Sequence, residues 1–71
     1  MQELKLDTRE FIPLCDLLKT VGLCQTGGHA KQVIADGQVM VDGKVELRKR
    51  CKIKQHQVVE FAGQKVKIVK R

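Results

Sequence analysis

Apolar and polar positions repeat with two different periods along this chain, and the change falls near residue 38. Before it, Leu14, Leu17, Leu18 and Val21 stand at i, i+3, i+4 and i+7, the stripe of an amphipathic helix. Pro13 is placed to open that helix where a missing amide donor costs nothing, and Gly22 to stop it. Asp16, Lys19 and Thr20 fall on the opposite, wet face. A second helix is predicted from the capping residue Thr26 to Gly37, with Ala30, Val33 and Ile34 as its buried stripe. Only Leu23 to Thr26 separates the two, so they should pack as a short helical hairpin. Ahead of them, Leu4-Lys5-Leu6 alternates as a short strand does.

After residue 38 the period becomes two. Val39 and Val41 alternate with Gln38, Met40 and Asp42, and Asp42-Gly43 is a two-residue hairpin signal beyond which Val45 and Leu47 resume the alternation. A cationic loop follows, then Val58 to Phe61, a turn at Gly63, and a last strand through Val66 to Val69. The expected fold is α+β, a two-helix hairpin packed on a small, mainly antiparallel sheet. With 71 residues, a single domain spanning 1–71 is expected, with one modest core. A hydrophobic share of 42% with 31% charged residues argues against disorder. No apolar run approaches the ~20 residues of a membrane span and no signal-peptide pattern is present, which points to a cytoplasmic protein without a membrane partner.

Charge sharpens the picture. Residues 1–47 carry five bases against seven acids, a net of −2, whereas residues 48–71 carry nine bases against Glu60 alone, a net of +8. The densest stretch, Arg48-Lys49-Arg50-Cys51-Lys52-Ile53-Lys54, holds five cations in seven residues. Such asymmetry points to a polyanion, most simply nucleic acid; the plainer reading is an ordinary solvated basic surface. Sheet-type RNA binders stack bases on aromatic side chains, and here Phe11 and Phe61 are the only aromatics, both within strand-like apolar runs. Serine is absent, which removes a serine nucleophile, and no paired carboxylates mark a general acid and base. Cys15, Cys24 and Cys51 are odd in number and widely spaced, so neither a disulfide framework nor a zinc site recruiting His29 or His56 is expected. No catalytic residue, metal or cofactor is expected.

The segment from Gly22 to His29 superficially resembles a phosphate-binding P-loop, but Gly28 and His29 stand where Lys and Ser or Thr are required, and a helix precedes it instead of a strand. Its better use is in Thr26-Gly27-Gly28-His29-Ala30-Lys31, where two residues without side chains open a helix and bare its amide groups to one phosphate. The plainer reading is that the glycines permit a tight turn and that His29 is an ordinary exposed polar residue.

Together, Leu14-x-x-Leu17-Leu18 leading to Gly22, Thr26-Gly27-Gly28-x-Ala30-Lys31-x-x-Ile34, and Gly37-x-Val39-x-Val41-Asp42-Gly43 resemble the RNA-binding domain first defined in ribosomal small-subunit protein four, also called the alpha-L motif. The resemblance covers residues 11 to 61, and the Glu46-x-Arg48-Lys49-Arg50 block is similar to that of its short stand-alone bacterial members. It implies binding of structured RNA through the helical hairpin and an adjacent strand–loop edge, with no catalytic domain attached. Many members have an Arg where this chain has Gly27, so one side-chain phosphate contact is missing here.

The resulting expectation is a monomeric, non-catalytic module that recognises structured RNA, ribosomal or tRNA-like, by phosphate and shape, in isolation or on the ribosome. Arg48, Lys49, Arg50 and Lys52 would supply electrostatic affinity; Thr26, Gly28, His29, Lys31 and Gln32 would set register. Two rivals are a helix–turn–helix DNA binder, for which the second helix offers few long polar side chains, and a protein-interaction adaptor on a ribosome or nuclease.

Overall fold

A computed structural model describes residues 2–70. Its elements follow in the order β1 (Gln2–Lys5), β2 (Ile12–Pro13), α1 (Leu14–Thr20), α2 (Gly27–Ala35), β3 (Val39–Val41), β4 (Lys44–Val45), β5 (Lys52–Ile53), β6 (Val58–Phe61) and β7 (Gln64–Val69). Five strands form one sheet in the order β1-β7-β6-β3-β4, antiparallel throughout except where β1 lies parallel to β7. The expected α+β architecture, a helical hairpin on a mainly antiparallel sheet, is what the chain adopts.

Both helices stop in the same way. The amide of Gly22 donates to the Lys19 carbonyl and that of Leu23 to the Leu18 carbonyl after α1; Gly37 to Ile34 and Gln38 to Val33 repeat the pattern after α2. These paired bonds satisfy carbonyls that the helix itself leaves unpartnered, and the left-handed φ of +76° at Gly37 is what lets the chain turn back to make them. Thr26 caps α2, its hydroxyl accepting the His29 amide at 3.0 Å. Pro13 differs from expectation by one position: it is the cap residue of α1, not its first helical residue, and it contributes no side-chain cap.

The predicted stripes are buried except at Val21, which is half-buried and follows α1 as its C-cap. Leu14, Leu17, Leu18, Ala30 and Ile34 are fully inaccessible, and they join Val39, Val59, Val66 and Ile68 from the sheet in one cluster. Val45 and Leu47, expected to continue the inward alternation, are instead 55% and 58% exposed. The hairpin register explains it. Asp42 and Gly43 form a two-residue turn with φ of +53° and +83°, pairing Val41 with Lys44 and Met40 with Val45. Facing residues share a side of the sheet, so Val45 lies on the side of Met40, opposite Val39 and Val41. A second ladder, β2 with β5, pairs Ile12 with Ile53 and Pro13 with Lys52; the run at Phe11 reads as strand-like, but its pairing with the cationic loop was not expected, and both isoleucines are fully buried.

Asp42 does more than turn the chain. Its carboxylate accepts the Val58 amide at 3.0 Å and the Gln57 side-chain amide at 3.2 Å, tying the hairpin to the start of β6. Replacing Asp42 by Ala is expected to cost about 0.5–1.5 kcal/mol through the lost bond to the Val58 amide, read as a lowered denaturation midpoint in urea. Ile34→Asp or Val41→Asp should abolish cooperative thermal unfolding, because each buries a charge in a minimal core.

Candidate functional site

The candidate residues fall into two groups, one at the start of α2 and one in the loop hydrogen-bonded to the start of α1. The first begins at α2. Thr26 takes the His29 amide with its hydroxyl and the Ala30 amide with its carbonyl, while the Gly27 and Gly28 amides donate to nothing among the described residues. The first turn of α2 carries no acid, so its partial positive charge is not offset locally. His29, Lys31 and Gln32 are exposed. Gln32 is partly occupied, because its amide nitrogen donates to the Asp36 carboxylate at 3.0 Å.

The second group is the cationic loop, and its backbone is fixed by α1. The Leu14 amide donates to the Cys51 carbonyl at 2.9 Å and the Cys15 amide to the Lys49 carbonyl at 3.1 Å. These are first-turn donors that Pro13 cannot satisfy, so the loop caps the helix and is held there in return. The β2–β5 ladder continues the attachment through Lys52 and Ile53, and the Lys54 amide donates to the Gln57 side-chain oxygen at 2.7 Å.

The four loop cations are not equivalent. Arg48 donates through Nε to one Glu46 oxygen at 3.0 Å and through Nη2 to the other at 3.2 Å, and its own amide reaches Glu46 at 3.0 Å. Nη2 also approaches the Cys51 sulfur at 3.5 Å. The Lys52 ammonium lies 5.1 Å from the centroid of the Phe11 ring, a cation–π contact that leaves its charge in place. Lys49 and Arg50 are exposed and have no side-chain partner among the described residues.

Hydrogen bonds from the Arg48 side chain and backbone hold the Glu46 carboxyl down to about 2. The same bonds raise the Arg48 guanidinium. Burial, and then the neighbouring Glu46 charge, push the Cys51 thiol up, away from nucleophilic thiolate chemistry. Burial likewise raises Cys24.

Of the predicted site residues, Arg48, Lys49, Arg50 and Lys52 are gathered around the start of α1, and Thr26, Gly28, His29, Lys31 and Gln32 around the start of α2. No hydrogen bond or ion pair joins the two groups among the described residues. Sequence reasoning missed the Glu46 clamp on Arg48 and the presence of Lys44 on the same flank of the molecule. The Glu-x-Arg spacing next to a hairpin turn is the signal that could have shown the clamp.

Comparison with known proteins gives one coherent result. Residues 4–69 match the S4 domain family. YbcJ of Escherichia coli (strain K12) and YbcJ of Shigella flexneri are each 51% identical over 69 residues, covering 97% of this chain and 99% of theirs. The solution structure of YbcJ from E. coli, described as revealing an alpha-L motif involved in RNA-binding, superposes with a TM-score of 0.75 at 51% identity, over 97% of this chain and 87% of that one.

Because the Glu46 carboxyl has a lower pKa folded than unfolded, the pair stabilises the fold above the ordinary glutamate range and that contribution is lost as the pH falls toward 2. A carboxyl-carbon NMR titration should place the Glu46 midpoint near 2. Arg48→Ala should return it toward the ordinary range.

Proposed function

The chain belongs to the S4 domain family, and from that premise we propose that it is a monomeric, non-catalytic module binding structured RNA, ribosomal or tRNA-like, by phosphate and shape contacts. The observation that carries this reading is the cationic loop: Lys49 and Arg50 project, unpaired, from a backbone that α1 and the β2–β5 ladder hold in place. Cations on a fixed frame lose little entropy when they meet a folded polyanion, which favours a structured partner over a loose one. A stacking mechanism finds no support, since Phe11 and Phe61 are both half-buried, Phe11 beneath Lys52. Phosphates are the remaining target.

The start of α2 would supply a second point of contact. Its two bare glycine amides suit one phosphate, with Thr26, His29, Lys31 and Gln32 around it. The helix–turn–helix rival is weakened further by Gln32, whose amide is turned to Asp36.

The deciding experiment compares affinity for a folded RNA hairpin with affinity for duplex DNA of equal length, beside a pull-down with and without ribonuclease. Preference for the hairpin and loss of capture on digestion are expected. Equal affinity for DNA, or a protein contact that survives digestion, overturns the reading.

With four to five phosphate contacts, log affinity should fall against log salt with a slope of about −3 to −4.5. Lys49→Ala with Arg50→Ala should weaken binding to all structured RNAs alike and flatten the slope by about 1.4 to 1.8. Gly28→Glu tests the helix start. A side chain there meets only the Thr26 hydroxyl oxygen, 3.9 Å from the new Cβ, and the backbone needs no left-handed conformation. Melting temperature should therefore hold while RNA affinity falls, because the carboxylate suits the helix dipole and repels the phosphate.

A further inference from the structure

A groove of about 550 Å³ opens between the β3–β4 hairpin and the cationic loop. Three cations line it, Lys44, Arg48 and Lys52, together with two acids, Asp42 and Glu46. Both acids are already engaged: Asp42 accepts from the Val58 amide and Gln57, and Glu46 from Arg48. Lys44 has no partner among the described residues. Arg48 spends Nε and Nη2 on Glu46 and Cys51, which leaves Nη1 unbonded among the described residues.

We propose that this groove seats one phosphate of bound RNA, and that Glu46 is the residue that sets which polyanions can take the seat. The inference rests on the RNA-binding reading above and adds Lys44 and Glu46 to it. A carboxylate and a phosphate offer a guanidinium the same pair of oxygens. Glu46 therefore stands on Arg48 where the phosphate oxygens would go. An incoming phosphate must displace Glu46 or accept its charge as a close neighbour, and either route is a penalty. A loose polyanion meets that penalty in full. A folded RNA already held by Lys49 and Arg50 presents its next phosphate at high effective concentration, and can complete the exchange with Lys44 and Lys52 on the walls of the groove. Discrimination then comes from a built-in competitor as much as from attraction.

The test uses the full chain with two probes, an RNA hairpin and poly-uridylate of equal length. Glu46→Gln is expected to bind the hairpin about fivefold more tightly and poly-uridylate at least ~10-fold more tightly, narrowing the preference between them. Its salt slope on poly-uridylate, which does not complete the exchange on the parent, should steepen by about 0.7, one regained contact. In an Arg48→Ala background the same substitution should change affinity less than about twofold, because the competition has lost its object. Lys44→Ala should weaken hairpin binding by about threefold or more. If the Gln variant melts early, Glu46→Asp, whose shorter carboxylate reaches Arg48 less well, should show an intermediate gain in a folded protein.

Unchanged or weaker binding by both Glu46 variants overturns the proposal, as does silence of Lys44→Ala. A gain that persists undiminished without Arg48 also overturns it, since bulk charge alone would then account for the effect. In each of those cases the parent protein still binds the hairpin, so RNA binding stands. Failure of the parent to bind structured RNA at all brings down both.

Discussion

The first turn of α1 has amide donors that nothing within its own helix can accept, and Pro13 brings no side-chain oxygen to them. The chain meets this need from 37 and 34 residues away in sequence, with the carbonyl of Cys51 for Leu14 and that of Lys49 for Cys15. Two hydrogen bonds thus join the helical hairpin to the most basic stretch of the molecule. Without them the loop between β4 and β5 would be anchored only at its ends, and its cations would project from a mobile backbone. With them, Ile53 is drawn against Ile12, Lys52 against the Phe11 ring, and Lys49 and Arg50 are left pointing away from a fixed surface. The position of the charge is a consequence of helix capping.

That dependence also explains what could be read from residue order alone. Both helices, their boundaries near Gly22 and Gly37, and the hairpin turns were legible, because each rests on local periodicity and on residues suited to caps and turns. The β2–β5 ladder was not legible. Its two strands are two residues each, and they exist because distant segments are brought together by α1, which leaves no periodic trace. The exposure of Val45 and Leu47 was legible in principle. A two-residue turn at Asp42-Gly43 pairs Val41 with Lys44, so counting through the turn places Val45 on the outer side. For the candidate site, the clustering of cations was plain, but their inequality was not: the order of residues shows Arg48, Lys49 and Arg50 as three equal charges, whereas the fold commits Arg48 to Glu46.

The small core constrains this further. Among the described residues, sixteen buried hydrophobic residues form a single cluster, drawn from both helices, the sheet, the two short ladder strands, and Leu6 and Cys24 in the connections. No polar or charged residue is buried among the described residues. Every charged group of the described residues therefore retains contact with water, and surface pairing alone decides which charges remain available to a partner.

Here the absence of serine and asparagine has a consequence for charge. Backbone amides at turns and helix starts need side-chain acceptors, and Ser and Asn usually share that duty with Asp and Thr. In this chain the task falls to Thr26, Asp42, Glu46 and Gln57, which accept the amides of His29, Val58, Arg48 and Lys54. Two of these four acceptors are carboxylates, Asp42 and Glu46, whose oxygens are taken up by backbone amides. Lysine and arginine have no acceptor to offer and cannot be recruited in the same way. One ion pair, Glu46 with Arg48, is the only one among the described residues, and it forms beside a carboxylate that the Arg48 backbone already holds. The remaining cations of the loop have no acid partner among the described residues, and the two acids that line the groove beside them, Asp42 and Glu46, are engaged by backbone amides. An electropositive surface is thus built into the way this fold satisfies its own amides, and the single place where an acid does meet a cation is where attraction for a polyanion is held in check.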